Sequence, residues 1–96
     1  MYGTVARFRI KQGAEEQLRQ RQREFEALRI PGYVRSIVYR MDTDPQECYL
    51  AVVFDSKEAY QANAASPEQD ARYRQLLTLM EGEPEWHDGE IVFVTQ

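Results

Sequence analysis

The fold is decided by residues 33–54, YVRSIVYRMDTDPQECYLAVVF, because two strand patterns flank a turn in this stretch. β-Branched and aromatic residues dominate both ends, and TDPQ at 43–46 contains the residue types that favour turns. Ile37 and Val38 are adjacent, so the first of these strands presents apolar side chains to both faces of its sheet. We therefore expect a β-hairpin at the centre of the fold.

The segment before the hairpin predicts a strand followed by a helix. Residues 2–10 alternate in a pattern typical of a half-buried strand, and Gly13 interrupts it. Residues 14–29, AEEQLRQRQREFEALR, are rich in strong helix formers and contain no breaker before Pro31. We expect a helix over about 14–29, with Arg21 in the middle of its apolar stripe.

The segment after the hairpin predicts a second helical region in two pieces and a last strand. Asp55 or Ser56 is placed to cap the first piece, and Ser66 followed by Pro67 starts the second. IVFVT at 91–95 predicts the last strand, and GEPEWHDG at 82–89 reads as loop, turn or bulge. The order strand, helix, strand, strand, helix, strand predicts an α+β, ferredoxin-like βαββαβ fold with a four-stranded antiparallel sheet.

The strands also predict self-association. Two helical regions cover only one face of a four-stranded sheet, yet apolar residues are available for the other face in every strand. The candidates for that second face are Val5, Val34 or Ile37, Leu50 or Val53, and Ile91 or Val92. Because a bare apolar sheet face of this size is not expected on a monomer, we expect a homodimer with the two sheets packed face to face.

Composition excludes several classes of protein. The 96 residues, with a net charge of -4, indicate one domain over 1–96. The third strand is aliphatic and ends in an acid, which is unlike an RNA-binding sheet, so no nucleic-acid partner is expected. The chain has one Cys and one His, which are too few for a typical metal site, and it has no glycine-rich phosphate loop. We therefore expect neither a metal nor another cofactor. Without a signal peptide or a long apolar run, we expect a cytoplasmic protein with no membrane partner.

Four stretches of the sequence resemble the antibiotic biosynthesis monooxygenase family, also called the dimeric α/β-barrel group. They are PGYVRSIVYR at 31–40, DTDPQECYLAVVF at 42–54, DSKEAYQANAASP at 55–67 and WHDG at 86–89. The resemblance implies a homodimer with facing sheets. The family includes cofactor-independent oxygenases of quinol-like aromatics and haem-degrading enzymes. Where the haem-degrading members have their Asn, Trp and His, this chain has Ala6, Asn63 and Tyr73, so haem degradation is not expected.

The candidate catalytic residues are Tyr60, Arg21 and His87. Tyr60 matches the tyrosine that the family has in the helix after the third strand. Arg21 is a guanidinium on an apolar helix stripe, which either holds an anionic substrate oxygen or reaches a carboxylate at the rim. His87 is either a general base, with Trp86 beside it at the pocket mouth, or a turn or dimer contact.

The expected substrate pocket lies between the helices and the sheet. The residues expected to contact the substrate there are Phe54, Asn63, Tyr73 and Trp86. For these aromatic residues, core packing is the alternative. The sequence thus predicts a cofactor-independent monooxygenase of a small aromatic or quinol-like substrate. The alternatives are a non-catalytic dimer that binds a small apolar molecule and a purely structural dimer.

Overall fold

The computed structural model describes residues 1–95 of the protein. Its elements are β1 (Tyr2–Arg9), α1 (Glu15–Ala27), β2 (Tyr33–Arg40), β3 (Glu47–Phe54), α2 (Lys57–Ala64), α3 (Pro67–Leu77) and β4 (Glu85–Glu90). All strands belong to one antiparallel sheet with the order β2-β3-β1-β4. This arrangement confirms the predicted α+β ferredoxin-like fold.

One face of the sheet packs against the helices and forms the core. Ala6 and Phe8 point to this face from β1, and the antiparallel register places Leu50 and Cys48 of β3 beside them. Leu18 of α1 covers this cluster. Burial raises the pKa of the Cys48 thiol, which packs in the core as a small apolar side chain.

The opposite face of the sheet is open. Val5 of β1 is 51% exposed on this face, and Ile37 and Tyr39 of β2 are 42% and 52% exposed. Of the alternatives that the sequence leaves open, the register assigns Ile37 and Val53 to the open face and Leu50 to the helix face.

The prediction for the last strand is wrong. The strand is Glu85–Glu90, most of which lies in the stretch predicted as loop, turn or bulge, and residues 91–95 form no strand. β4 pairs with β1 until Glu90 lies opposite Tyr2, and the Ile91 amide then donates to the carbonyl of Met1. Within the described chain no strand pairs with residues 91–95, and Val92 and Phe93 are 91% and 78% exposed.

The second helical region has the two pieces that its start signals predict. Ser56 caps α2 by accepting a hydrogen bond from the amide of Ala59, and Ser66 caps α3 in the same way. Gly32 holds α2 close to the start of β2, with φ of 82° and with room for no side chain: a Cβ atom there would lie 2.4 Å from the Cβ of Ala59. This close approach fixes the helix that carries Tyr60.

Candidate functional site

A cavity of about 440 Å³ lies between the helices and the covered face of the sheet. Its apolar wall includes Leu50 and Val52 of β3, Phe25 of α1 and Leu76 of α3. Polar and charged side chains from all three helices also line it, among them the carboxylates of Glu24 and Asp70. The volume and the mainly apolar lining are typical of a site for one small organic molecule.

Most of the residues predicted to form the site line this one cavity. They are Arg21, Phe54, Tyr60, Asn63, Tyr73 and Trp86. The Phe54 ring packs edge-on against Tyr60, and the Tyr73 ring lies 5.9 Å from that of Trp86. The fold thus brings together residues from all three helices and from two strands that are distant in the sequence. Their roles in binding or catalysis stay predictions.

His87 does not share the cavity, contrary to its expected place at the pocket mouth. The register pairs His87 with Val5, so its side chain lies on the open face of the sheet. There its Nε2 atom is 3.2 Å from a carboxylate oxygen of Glu85, two residues away on the same face. Because 85–90 is a strand, adjacent residues alternate between faces, and Trp86 and His87 cannot both face the cavity.

Tyr60 is fixed in the cavity wall by ring packing on two sides and by a hydrogen bond of its hydroxyl. Its ring centroid lies 5.3 Å from that of Tyr2 and 5.5 Å from that of Phe54. Its hydroxyl donates a hydrogen bond of 2.8 Å to Oδ1 of Asp88. Burial, and secondly the bond to Asp88, raise the pKa of Tyr60 to about 12, whereas the nearby Thr4 hydroxyl works in the opposite direction. Tyr60 is therefore neutral at physiological pH.

Thr4 contributes an unpaired hydroxyl to the same wall. The residue is 5% exposed, and its Oγ1 atom makes no hydrogen bond within residues 1–95. Its backbone lies directly opposite Asp88 in the β1–β4 pair, so both side chains are on the cavity face. A buried hydroxyl without a partner costs about 1–3 kcal/mol, and this oxygen is enclosed by protein atoms.

Two arginines line the cavity in different electrostatic settings. Arg21, whose side chain is 45% exposed, pairs with Glu24 one turn along α1 at 2.8 Å. Arg72 is half-buried, donates to Gln69 and Asn63, and makes no salt bridge within the part of the chain that is described. Its guanidinium also lies 5.7 Å from the ring centroid of Phe25. Arg72 therefore retains a positive charge that no neighbouring carboxylate neutralises.

Sequence reasoning missed Thr4, Arg72 and Asp88. Asp88 and Trp86 are two positions apart, so recognising 85–90 as a strand would have placed both on the cavity face. Arg72 follows Gln69 by three positions on α3, which is the spacing of their hydrogen bond. No local signal in the sequence indicates that the Thr4 hydroxyl lacks a partner, because that depends on all the elements around it.

Neither a metal cluster nor a membrane helix is found in residues 1–95. No three His, Cys, Asp or Glu side chains among them are placed to hold a metal ion. No helix within the same residues is both long enough and apolar enough to cross a membrane.

A family model and several solved structures match this chain. The family model of the antibiotic biosynthesis monooxygenases matches residues 1–76. A search of the curated proteins found no match. Among solved structures, a variant of SnoaB, a cofactor-independent oxygenase from Streptomyces nogalater, is 21% identical with a TM-score of 0.80, covering 97% of this chain and 94% of that one.

Two further structures are similar over nearly their whole lengths. A Chloroflexus aurantiacus protein, provisionally described as an antibiotic biosynthesis monooxygenase, is 23% identical with a TM-score of 0.77 and covers 99% of this chain and 96% of its own. Rv0793 from Mycobacterium tuberculosis is 16% identical with a TM-score of 0.74 and covers 99% of this chain and 98% of its own. At these identities the likeness establishes the fold alone.

Proposed function

Because the chain belongs to the antibiotic biosynthesis monooxygenase family, we propose that it is a cofactor-independent monooxygenase of a small quinol-like aromatic. The single observation that carries the proposal is the cavity, where an apolar wall surrounds the neutral Tyr60 hydroxyl and the unneutralised Arg72 guanidinium. The proposed reaction class follows that of SnoaB, a structurally similar protein described as a cofactor-independent oxygenase.

The reaction proposed for a quinol balances without any added reductant. Dioxygen places one oxygen atom on a ring carbon in place of hydrogen, and the other oxygen leaves as water. The quinol becomes a hydroxyquinone and supplies all four electrons. The protein's part is to favour the quinol anion, which reacts with oxygen more readily than the neutral quinol, and to keep water away from it.

Arg72 is the group best suited to favour the anion. A phenol has a pKa near 10, like tyrosine, so ionising it at pH 7 costs about 4 kcal/mol. A guanidinium about 4 Å from the new charge returns about 4 kcal/mol at an effective dielectric constant of 20. One arginine at that distance would therefore offset most of the cost of ionisation, against which the carboxylates of Asp70 and Asp88 in the same lining act. Arg21, at the rim, adds less because Glu24 already holds its charge.

Tyr60 serves as a hydrogen-bonding residue and not as a general base. With a pKa of about 12 it keeps its proton at neutral pH, and that proton is directed to Asp88. Phe54, Tyr73 and Trp86 supply the aromatic surface against which a flat ring would pack. Asn63, which accepts from Arg72, holds that guanidinium at the cavity wall.

Oxygen uptake with a panel of hydroquinones tests the proposal. Protein-dependent uptake that falls strongly in Arg72→Leu and Tyr60→Phe supports it. The control is Arg23→Leu, which removes a guanidinium that pairs with Glu16, and neither of these residues lines the cavity. Binding of hydroquinones without uptake favours the alternative of a non-catalytic binding protein.

A homodimer is proposed as the working form of the protein, within the cytoplasm. The open sheet face carries Val5, Ile37 and Tyr39, and it carries charges of both signs, as at Arg7 and Glu47, so that two copies can face each other without like-charge repulsion. Val92 and Phe93 add exposed apolar surface that a second copy would cover.

A further inference from the structure

We propose that Gln69 is a positioning residue: its neutral amide holds Arg72 at the cavity wall without forming an ion pair, and so makes the cavity select aromatic ligands that carry an oxyanion. The inference deepens the proposed function, on which it rests for the aromatic character of the ligand. It concerns binding, before any reaction with oxygen.

The Gln69 side chain is not used in the helix cap that its sequence predicts. Ser66 and Gln69 have the spacing of a capping box, in which the glutamine side chain bonds back to the serine amide. Here the Ser66 amide donates instead to the carbonyl of Asn63 at 3.0 Å. The Gln69 side chain therefore remains available, and its Oε1 atom accepts a hydrogen bond of 3.1 Å from Nε of Arg72.

Two amides hold the Arg72 guanidinium and leave part of it free. Its Nε atom donates to Gln69, and its Nη2 atom donates to Oδ1 of Asn63 at 3.4 Å. A guanidinium has five N–H groups, so donors remain that have no hydrogen-bond acceptor within residues 1–95, both of those on Nη1 among them. Because Arg72 lines the cavity, these donors are available to an oxyanion of a ligand.

The neutrality of Gln69 preserves the charge of Arg72. Glu68 lies four positions before Arg72 on α3, the spacing of a helical ion pair, yet the two form none within the described chain. Asp70, which lines the cavity, pairs with Arg74 at 3.1 Å. A glutamate at position 69 would put a carboxylate where the Arg72 guanidinium now meets an amide oxygen. The resulting ion pair would compete with an anionic ligand.

The substitution Gln69→Glu separates this role from a structural one. The first turn of a helix favours acidic side chains, and glutamate is the other residue that completes a capping box. The midpoint of thermal denaturation should therefore stay the same or rise, whereas the affinity for anions should fall. A side chain that only stabilised the helix would not produce these opposite changes.

Binding of β-naphthoate and of naphthalene-2-carboxamide, its neutral counterpart of similar shape, tests the selectivity without turnover. Titration calorimetry should give the wild-type protein a preference of about tenfold or more for the anion. Gln69→Glu should bind the anion about tenfold or more weakly and the amide within about twofold of the wild type. Gln69→Leu should lose part of the preference, because it frees Arg72 to pair with Glu68. Gln61→Glu, which adds the same charge on α2 outside the cavity lining, should keep it.

β-Naphthol distinguishes a phenolate from a carboxylate as the oxyanion. Its absorbance under anaerobic conditions reports its ionisation, and the bound naphthol should ionise at a pH about one unit higher in Gln69→Glu than in the wild type. An unchanged ionisation would limit the selected oxyanion to a carboxylate and overturn the phenolate part of the inference.

The inference as a whole would be overturned by any of three results. They are a wild-type protein without preference for the anion, an unchanged preference in Gln69→Glu, and a joint loss of both ligands and of stability in Gln69→Glu. Oxygen uptake with hydroquinones decides the proposed function separately. Anion preference without uptake would contradict the proposed function alone, and uptake without anion preference would contradict this inference alone.

Discussion

The Tyr60 hydroxyl donates a 2.8 Å hydrogen bond to Asp88, 28 residues later in the chain, and so joins α2 to the edge strand β4 across the mouth of the cavity. β4 has no strand on its outer side, and all of its residues are exposed. The bond therefore ties the least covered strand to a helix, and it fixes the direction of the polar group that is best placed to meet a ligand.

The unpaired hydroxyl of Thr4 predicts a gain in stability on its removal. Thr4→Val replaces a buried hydroxyl that has no partner by a methyl group, so the free energy of unfolding should rise by about 1 kcal/mol. Chemical denaturation of the ligand-free protein measures this change. The matched control is Thr78→Val, whose hydroxyl donates to the carbonyl of Gln75, and it should show no gain. A destabilised Thr4→Val protein would show that the hydroxyl is satisfied after all.

The raised pKa of Tyr60 predicts a particular loss of stability at high pH. A tyrosine in the unfolded chain loses its proton near pH 10, whereas folded Tyr60 keeps it until about pH 12. The contribution of this residue is therefore fully present below pH 10 and is lost as the pH rises through 12. Denaturation over this range should show a steeper fall for the wild-type protein than for Tyr60→Phe. Equal slopes would contradict the assigned pKa.

Periodicity predicts the first three strands and the helices correctly, because one-sided burial leaves a pattern in each of these elements. The helix at Glu15–Ala27 follows from that pattern, whereas the caps follow from their own signals, which leave Asp55 or Ser56 open for the first and indicate Ser66 for the second. The family resemblance predicts Phe54 and Tyr60 as pocket residues, and the inward sides of the helices predict Tyr60 and Tyr73. All three line the cavity.

The last strand and the charges of the site could not be predicted in the same way. An edge strand pairs through its backbone, so the polar sequence of Glu85–Glu90 contains little of the usual strand pattern, whereas the apolar residues 91–95 imitate it. Because this strand is not recognised from the sequence, His87 is predicted at the pocket mouth, whereas it lies on the open face of the sheet. Whether Arg21 or Arg72 is neutralised depends on which carboxylates the folded chain brings near each, and only the Arg21–Glu24 spacing is local.

If the open sheet face is the homodimer interface, a single charged residue introduced there should dissociate the dimer. The wild-type protein should have a mass about twice the 11.3 kDa of one chain in multi-angle light scattering at micromolar concentration. Val5→Glu places a carboxylate at the centre of the open face and should give the monomer mass. Leu28→Glu, at a similarly exposed apolar position at the end of α1, should remain dimeric. A wild-type monomer, or an unaffected Val5→Glu protein, would count against the proposed interface.

The different settings of the two arginines predict different effects on anion binding. β-Naphthoate should bind about tenfold or more weakly to Arg72→Leu, which loses the unneutralised charge. Arg21→Leu should have a smaller effect, with a change in stability of at most about 0.5 kcal/mol, because an exposed helix pair contributes little. Arg23→Leu, outside the cavity on the same helix, is the control. A larger effect at Arg21 than at Arg72 would reverse the assignment.

The fate of oxygen during quinol oxidation tests monooxygenation most directly. An oxygen electrode would follow hydroquinone turnover by protein pretreated with a chelator and free of any visible absorption band, with catalase added at the end. We predict protein-dependent uptake of one dioxygen per quinol, a hydroxyquinone product and no oxygen returned by catalase, because the second oxygen atom has become water. Release of oxygen on adding catalase would reveal hydrogen peroxide from simple oxidation, and either that result or the absence of protein-dependent uptake would contradict the proposed function.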